Sequence, residues 1–337
     1  MANKQLNLAL QGGGSHGAFT WGVLDRLLEQ KDLQIIGVSG TSAGAVNAAC
    51  LTYGLIKGGN EGARAVLSEF WKKNSDSQRL SLIQPSYIDK MFSKGNIDHN
   101  PFFKAFTLMT MSCSPYEWNP NHLNPLRDLL LNVIDFDAIQ NDQAHKIFLT
   151  ATNIRTSKVK IFDNPEVSAD SVCASACLPQ FFQAVEIGGE LYWDGGYIGN
   201  PAMFPLFQNT HCKDLMLIQV DSINWTIAPT RIADIVNRAT DISFNSSLMR
   251  EMRAINFVSQ IIDKGFDDNG SLVRTNIHYI SPGDMLNPFN SSSKMNVSWD
   301  WLTFLRDAGR AQADAWIEAN YQTIGVKSSC DIDSLFM

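Results

Sequence analysis

Gly40-Thr41-Ser42-Ala43-Gly44 sets a serine between two glycines, a spacing that suits a sharp turn from a strand into a helix. In such a turn Gly40 and Gly44 avoid clashes and the hydroxyl stands clear of the backbone. The helix that follows aims its positive end at the site. The chemistry this setting serves is attack by Ser42 on an acyl carbon. A serine used in this way needs a base and a set of donors for the developing oxyanion. Gly12-Gly13-Gly14 offers the donors, because successive glycines can turn several backbone N–H groups inward ahead of a helix N-terminus. With Gly17, the same turn also fits the Gly-x-Gly-x-x-Gly pattern of a dinucleotide site. That rival needs an acid at the end of the second strand to hold a ribose. Asp32 precedes that strand, at the wrong end, so acyl transfer is the better reading.

The base is less plain. Of six histidines, His278 would complete a triad in the order serine, acid, histidine. It sits inside the strand-like Asn276-Ile277-His278-Tyr279-Ile280 rather than on a loop, which favours a structural role. Asp194 is the better candidate: it ends the run Leu191-Tyr192-Trp193, and Gly195-Gly196 leaves room beside its carboxylate. The competing reading of Asp-Gly is a hairpin turn, which the local pattern alone leaves open.

Four segments, in order, carry a resemblance. They are Gly12-Gly13-Gly14-Ser15-His16-Gly17, Gly40-Thr41-Ser42-Ala43-Gly44, Ala174-Ser175-Ala176-Cys177-Leu178-Pro179 and Asp194-Gly195-Gly196. Over about residues 5–222 the chain resembles the patatin-like phospholipases, serine acyl hydrolases with a Ser–Asp dyad. The resemblance implies an α/β fold of three layers, with a central, mostly parallel sheet flanked by helices. It further implies Ser42 as nucleophile, Asp194 as base, Gly12, Gly13 and Gly14 as the oxyanion turn, and no metal or cofactor. The implied substrate is a lipid ester, met through transient contact with a membrane surface. Whether that ester is a phospholipid, a neutral lipid or a polyester stays open. The family usually carries Arg or Lys where His16 stands, and often Ala where Gly196 stands. His16 is expected to cap its helix rather than to tune the oxyanion site.

The elements that must position these residues can be read from periodicity. Leu6–Leu10 and Gln34–Ser39 read as buried strands, each followed by a helix, one from Ala18 and one from Ala43. Strand, helix, strand, helix in the first 57 residues calls for parallel strands with helical crossovers. Glu61–Lys73 has the pattern of an amphipathic helix. Residues 96–125, with four prolines among Phe, Leu and Met, read as an irregular excursion from the sheet that could form a lid. Further strands are expected at Lys146–Thr152, Lys158–Phe162, Gln183–Ile187, Leu191–Trp193, Asp214–Val220 and Asn276–Ile280. A short helix should stop before Pro179, and helices should cover Phe244–Ile262 and Trp299–Tyr321. The expected organisation is a catalytic core over 5–222 and a helical extension over 223–337 packed on it.

Composition narrows the class. A 337-residue chain, 45% hydrophobic and 18% charged, can bury a full core without staples. A net charge of −7 argues against broad nucleic-acid binding, which needs a basic face. The six cysteines form no Cys-x-x-Cys cluster and read mainly as small buried hydrophobes. Asp263, Asp267 and Asp268 are close together, but their spacing misses a calcium loop. No signal-peptide pattern and no run of about 18 apolar residues is present, so a cytoplasmic or peripheral membrane location is expected.

Overall fold

The computed structural model describes residues 3–78, 81–92, 95–224, 228–230, 232–266 and 272–337. Eight strands form one mixed sheet: β1 (Lys4–Leu10), β2 (Leu33–Gly40), β3 (Lys146–Asn153), β4 (Val159–Asp163), β5 (Val185–Ile187), β6 (Glu190–Asp194), β7 (Asp214–Ile218) and β8 (Asn276–Ile280). Their order is β5-β6-β3-β2-β1-β7-β8, with β4 also on β3. The five strands from β3 to β8 in that order run parallel, while β4, β5 and β6 pair antiparallel.

Alternation along the strands builds the three expected layers. Leu6, Leu8 and Leu10 of β1 and Met216 and Ile218 of β7 enter the larger core. There they meet helices α1 (Gly17–Leu27) and α2 (Ala43–Ser77) and the helix Trp299–Asn320. Ala9, Leu215 and Leu217 point the other way, onto Leu206, Leu248, Met252 and Phe336 of helices on the second face. Each such leucine, fully buried, stabilises the fold by roughly 1.5–3 kcal/mol. The C-terminal third supplies β8 to the sheet and the helix Trp299–Asn320 to the larger core. Gly22 and Gly309 let that helix lie directly on α1: a Cβ on Gly22 would fall within van der Waals overlap of the Arg306 carbonyl.

Two sequence expectations change. The helix expected at Glu61–Lys73 is the second half of α2, which breaks at Gly58 and Gly59, where Gly59 takes φ +60°. Residues 96–125 contain more helix than expected, joined by short irregular stretches. Pro101, Pro115 and Pro125 each open a helix: Pro101–Ser112, Pro115–Trp118 and Pro125–Leu131. Proline is well placed at a first helical position, where its missing N–H is not needed. Asn100 and Asn124 cap the outer two by accepting from backbone N–H groups, and Ser114 and Glu117 form a reciprocal capping box. All six cysteines are unpaired; Cys50, Cys173 and Cys177 are buried as expected, whereas Cys113 is exposed.

Candidate active site

Strand β2 ends at Gly40, and α2 begins at Ala43. Between them Ser42 adopts φ 55° and ψ −122°, a conformation that side chains disfavour. Neighbouring backbone holds it there. Thr41 N–H donates to Leu10 O at 3.2 Å, Thr41 Oγ1 donates to Gly199 O at 2.7 Å, and Ser42 N–H donates to Ser175 Oγ at 2.9 Å. The two flanking glycines are required by close approach: a Cβ on Gly44 would lie 2.0 Å from Leu10 O, and one on Gly40 would lie 2.3 Å from Gly44 O. Gly17 likewise admits Ala43, whose Cβ is 2.8 Å from where its own would be.

Asp194 arrives by a change of partner on β3. Along one edge, β3 pairs first with β2, through Gly40 and Leu149, and then with β6, through Asp194 and Ala151. The other edge is taken by β4, so β6 continues where β2 stops. Asp194 N–H donates to Cys177 O at 2.8 Å and Asp194 O accepts from Thr152 Oγ1 at 2.8 Å. Gly195 fits against the Thr150 carbonyl and Gly196 against the Phe244 ring. The Asp-Gly step thus starts a short 3-10 turn, Gly195–Tyr197, rather than a hairpin.

The Asp194 carboxyl is fully buried. Oδ1 accepts from Gly196 N–H at 2.7 Å, whereas Oδ2 has no hydrogen-bond partner among the described residues. Burial pushes the carboxyl's pKa up to about 7, against smaller downward pulls from the Gly196 amide and the nearby Ser42 hydroxyl. A carboxylate so raised can accept a hydroxyl proton near neutral pH, as a base matched to its task must.

The glycine turn lies against the same end of the sheet. A Cβ on Gly12 would sit 2.7 Å from Ser42 Cβ and 2.8 Å from Thr41 O, so only glycine fits. Its amide is not available to an oxyanion, because Gly12 N–H donates to Asn200 Oδ1 at 2.8 Å. That removes Gly12 from the expected donor set. Among the described residues nothing accepts from the N–H of Gly13 or Gly14, and Gly14 takes φ +60°. These two amides remain as the donors.

His16 does not cap its helix; no side-chain capping bond forms. Ser293 Oγ donates to Asn290 O at 2.7 Å, so it accepts from His16 Nε2–H at 2.8 Å. Nδ1 is then a buried acceptor without a partner among the described residues. Burial, with Lys294 adding to it, pushes the ring's pKa down to about 3, and His16 stays neutral. His278 is structural: Ser329 Oγ and Asp214 Oδ1 hold its two nitrogens at 2.9 and 3.0 Å. Asp32 accepts from the Tyr321 hydroxyl at the start of β2, away from the glycine turn. Asp263 pairs with Arg274 at 2.9 Å, and Asp267 and Asp268 lie outside the described residues. Among the described residues no cluster of His, Cys, Asp or Glu could hold a metal, and no helix is long and apolar enough to cross a membrane.

Sequence reasoning gave no role to Ser175 or Asn200. Ser175 belongs to the third matching segment, but nothing local announces its bond to Ser42. Asn200 had no local signal at all.

A serine on a strand–turn–helix bend, a buried carboxyl at the neighbouring strand end and a glycine turn with free amides can together perform acyl transfer. Residues 8–206 match the patatin-like phospholipase family, and the chain belongs to that family of serine hydrolases. Membership implies a lipid acyl hydrolase. No curated protein matches the sequence. Among solved structures the chain is similar to VipD from Legionella pneumophila, at 14% identity and a TM-score of 0.45, over 94% of this chain and 67% of that one. It is also similar to ExoU, seen in complex with SpcU of the Pseudomonas aeruginosa type III secretion system. That match has 13% identity and a TM-score of 0.39, over 95% of this chain; the chain spans about half of ExoU, 52%.

Proposed function

We propose that the protein hydrolyses carboxylic esters of phospholipids or related lipids through a Ser42–Asp194 dyad. The observation that carries this reading is the free Oδ2 of a buried Asp194 whose pKa of about 7 suits a base, close to the Ser42 hydroxyl. Asp194 takes the Ser42 proton as Oγ attacks the ester carbonyl. The N–H groups of Gly13 and Gly14 hold the oxyanion, each such donor being worth about 3 kcal/mol in comparable sites. Collapse of the tetrahedral intermediate breaks the ester C–O bond, and Asp194 returns the proton to the departing alcohol. Water, deprotonated by Asp194, then attacks the acyl-Ser42 ester; as the C–Oγ bond breaks, Asp194 returns that proton to Ser42 Oγ and the fatty acid is released.

Contact with lipid is supported by the helix Pro101–Ser112, which has no buried residue yet carries Phe102, Leu108 and Met111 on its exposed surface. Its Phe106 ring stacks on Phe181 at 5.8 Å, on the loop that begins at Cys177, the acceptor of the Asp194 amide. An apolar, lightly charged helix joined to the site in this way suits transient seating on a membrane surface.

The test is a panel of phospholipid, lysophospholipid, neutral glyceride and polyester substrates, with fluorophosphonate labelling of the parent, Ser42→Ala and Asp194→Asn. Fatty acid should be released from phospholipids by the parent only, and the label should be absent from Ser42→Ala. Hydrolysis retained by either folded variant would sink the dyad. Turnover confined to glyceride or polyester would leave the dyad standing and redirect the substrate.

A further inference from the structure

The C-terminal third reaches the glycine turn. The 3-10 segment Ser291–Met295 lies on it: Ser15 Oγ donates to Ser293 O at 2.8 Å, His16 bonds Ser293 Oγ, and a Cβ on Gly14 would sit 2.5 Å from Lys294 O. From this segment Lys294 Nζ donates to Asp221 Oδ1 at 2.8 Å and to Asp241 Oδ1 at 3.1 Å. Asp221 is buried just past β7, and its N–H is tied to Gln11 Oε1 at 2.9 Å. A Cβ on Gly13 would lie 3.6 Å from Asp221 Oδ1. A buried carboxylate therefore faces the turn whose amides are the oxyanion donors. Alone, it would oppose a second negative charge forming there.

We infer that Lys294 is the counter-charge that makes the glycine turn fit for an oxyanion, by neutralising Asp221 beside it. The inference rests on the acyl-transfer reading above. His16 cannot serve in its place, since its ring is neutral and its Nε2–H is committed to Ser293. Burial works against the Lys294 charge, but Asp221 and Asp241 outweigh it and hold the ammonium above its usual pKa. Burial also raises the Asp221 carboxyl, and Lys294 opposes that rise. Lys294 touches no reacting atom in this scheme; it is a positioning residue that acts through charge. The family match ends at Leu206, so this contribution comes from sequence beyond it.

The experiment uses the full chain, a short-chain p-nitrophenyl ester and three variants: Lys294→Met, Lys294→Arg and the double Lys294→Met/Asp221→Asn. Lys294→Met should lower kcat about 30-fold with KM changed less than about 3-fold, the pattern expected when a like charge acts on the oxyanion alone. Lys294→Arg should stay within about 3-fold of the parent, because it keeps the charge. The double variant removes both charges and should recover at least about 10-fold of the lost kcat. A purely structural lysine would not give that recovery. Lys294→Met, folded, with kcat within 2-fold of the parent overturns the inference, and so does a folded double variant no faster than the single one. Thermal unfolding checks the fold of each. Should Lys294→Met fail to fold, the double variant decides: near-parent kcat supports the counter-charge, and a folded but inactive protein refutes it. Ser42→Ala, run alongside, separates the two ideas, for activity retained there defeats the acyl-transfer reading whatever Lys294 does.

Discussion

The backbone N–H of Ser42 is held by Ser175 Oγ at 2.9 Å, which ties the candidate nucleophile to the last residue of the helix Ala169–Ser175. Ser175 is itself fully buried, so the bond is shielded from water. Ser175→Ala would leave the Ser42 amide without its acceptor. The cost in stability should be about 1–3 kcal/mol, the usual range for a buried donor left unpaired. Ester hydrolysis should fall about tenfold, because the strained turn loses one of its restraints. Urea unfolding and steady-state kinetics on the same preparation would check both, and a variant matching the parent in each would show the bond to be idle.

Ser42 itself stores strain. At φ 55° and ψ −122° a glycine is unstrained, whereas a residue with a side chain gives up about 1–3 kcal/mol. Ser42→Gly should therefore raise stability by about 1 kcal/mol while abolishing hydrolysis. The gain is partly offset because glycine has more freedom to lose on folding. Chemical denaturation of Ser42→Gly against Ser42→Ala gives the comparison; Ser42→Ala keeps the strain and should be the less stable of the two.

The pH dependence follows from Asp194. A base with a pKa of about 7 must lose its proton to act, so kcat/KM should rise with pH and level off above about 7. Stability runs the opposite way. The folded carboxyl binds its proton up to about pH 7, whereas the unfolded one releases it near 3.8. Between those values the folded state holds more protons, so each rise in pH costs stability. Asp194→Asn should leave stability at pH 4 nearly unchanged and raise it relative to the parent at pH 8 by a few kcal/mol, about 1.4 for each pKa unit. Glu251, half-buried and with its pKa raised by desolvation to about 7, adds a slope of the same sign that this variant leaves in place.

Surface substitutions on the helix Pro101–Ser112 should separate binding from folding. Phe102, Leu108 and Met111 are 53%, 68% and 81% exposed, so replacing all three with serine should change stability by no more than about 0.5 kcal/mol each. Binding to phosphatidylcholine vesicles should weaken at least tenfold, while turnover of a water-soluble ester stays within about twofold. Sedimentation with vesicles and a soluble-ester assay measure the two. Vesicle binding equal to the parent's would leave this helix as ordinary surface.

Much of the site could be read from the chain because its constraints are local. Gly40, Ser42 and Gly44 fall within five residues, and the contacts that demand small side chains there leave a visible pattern. The strands show because they alternate between two cores or are buried on both faces. The parts that stayed hidden depend on residues far apart in sequence. Asn200 reaches Gly12 across 188 positions, and Ser293 reaches His16 across 277. Neither side chain belongs to a local motif, so the loss of the Gly12 amide and the neutrality of His16 could not be foreseen. The helices within 96–125 are hidden for another reason: a stretch rich in proline reads as irregular, yet Pro101, Pro115 and Pro125 stand at first helical positions, where proline is tolerated.

The shared edge of β3 has one more consequence. Gly40 faces Leu149 and Asp194 faces Ala151, so a single residue, Thr150, separates the two pairings. The strand acts as a ruler, and one residue along it measures about 3.3 Å. A slip of either neighbour by one step would turn its side chains to the opposite face and carry hydroxyl and carboxyl out of reach of each other. The spacing between the two reactive groups is thus written into backbone hydrogen bonds, which side-chain replacement on the surface cannot alter.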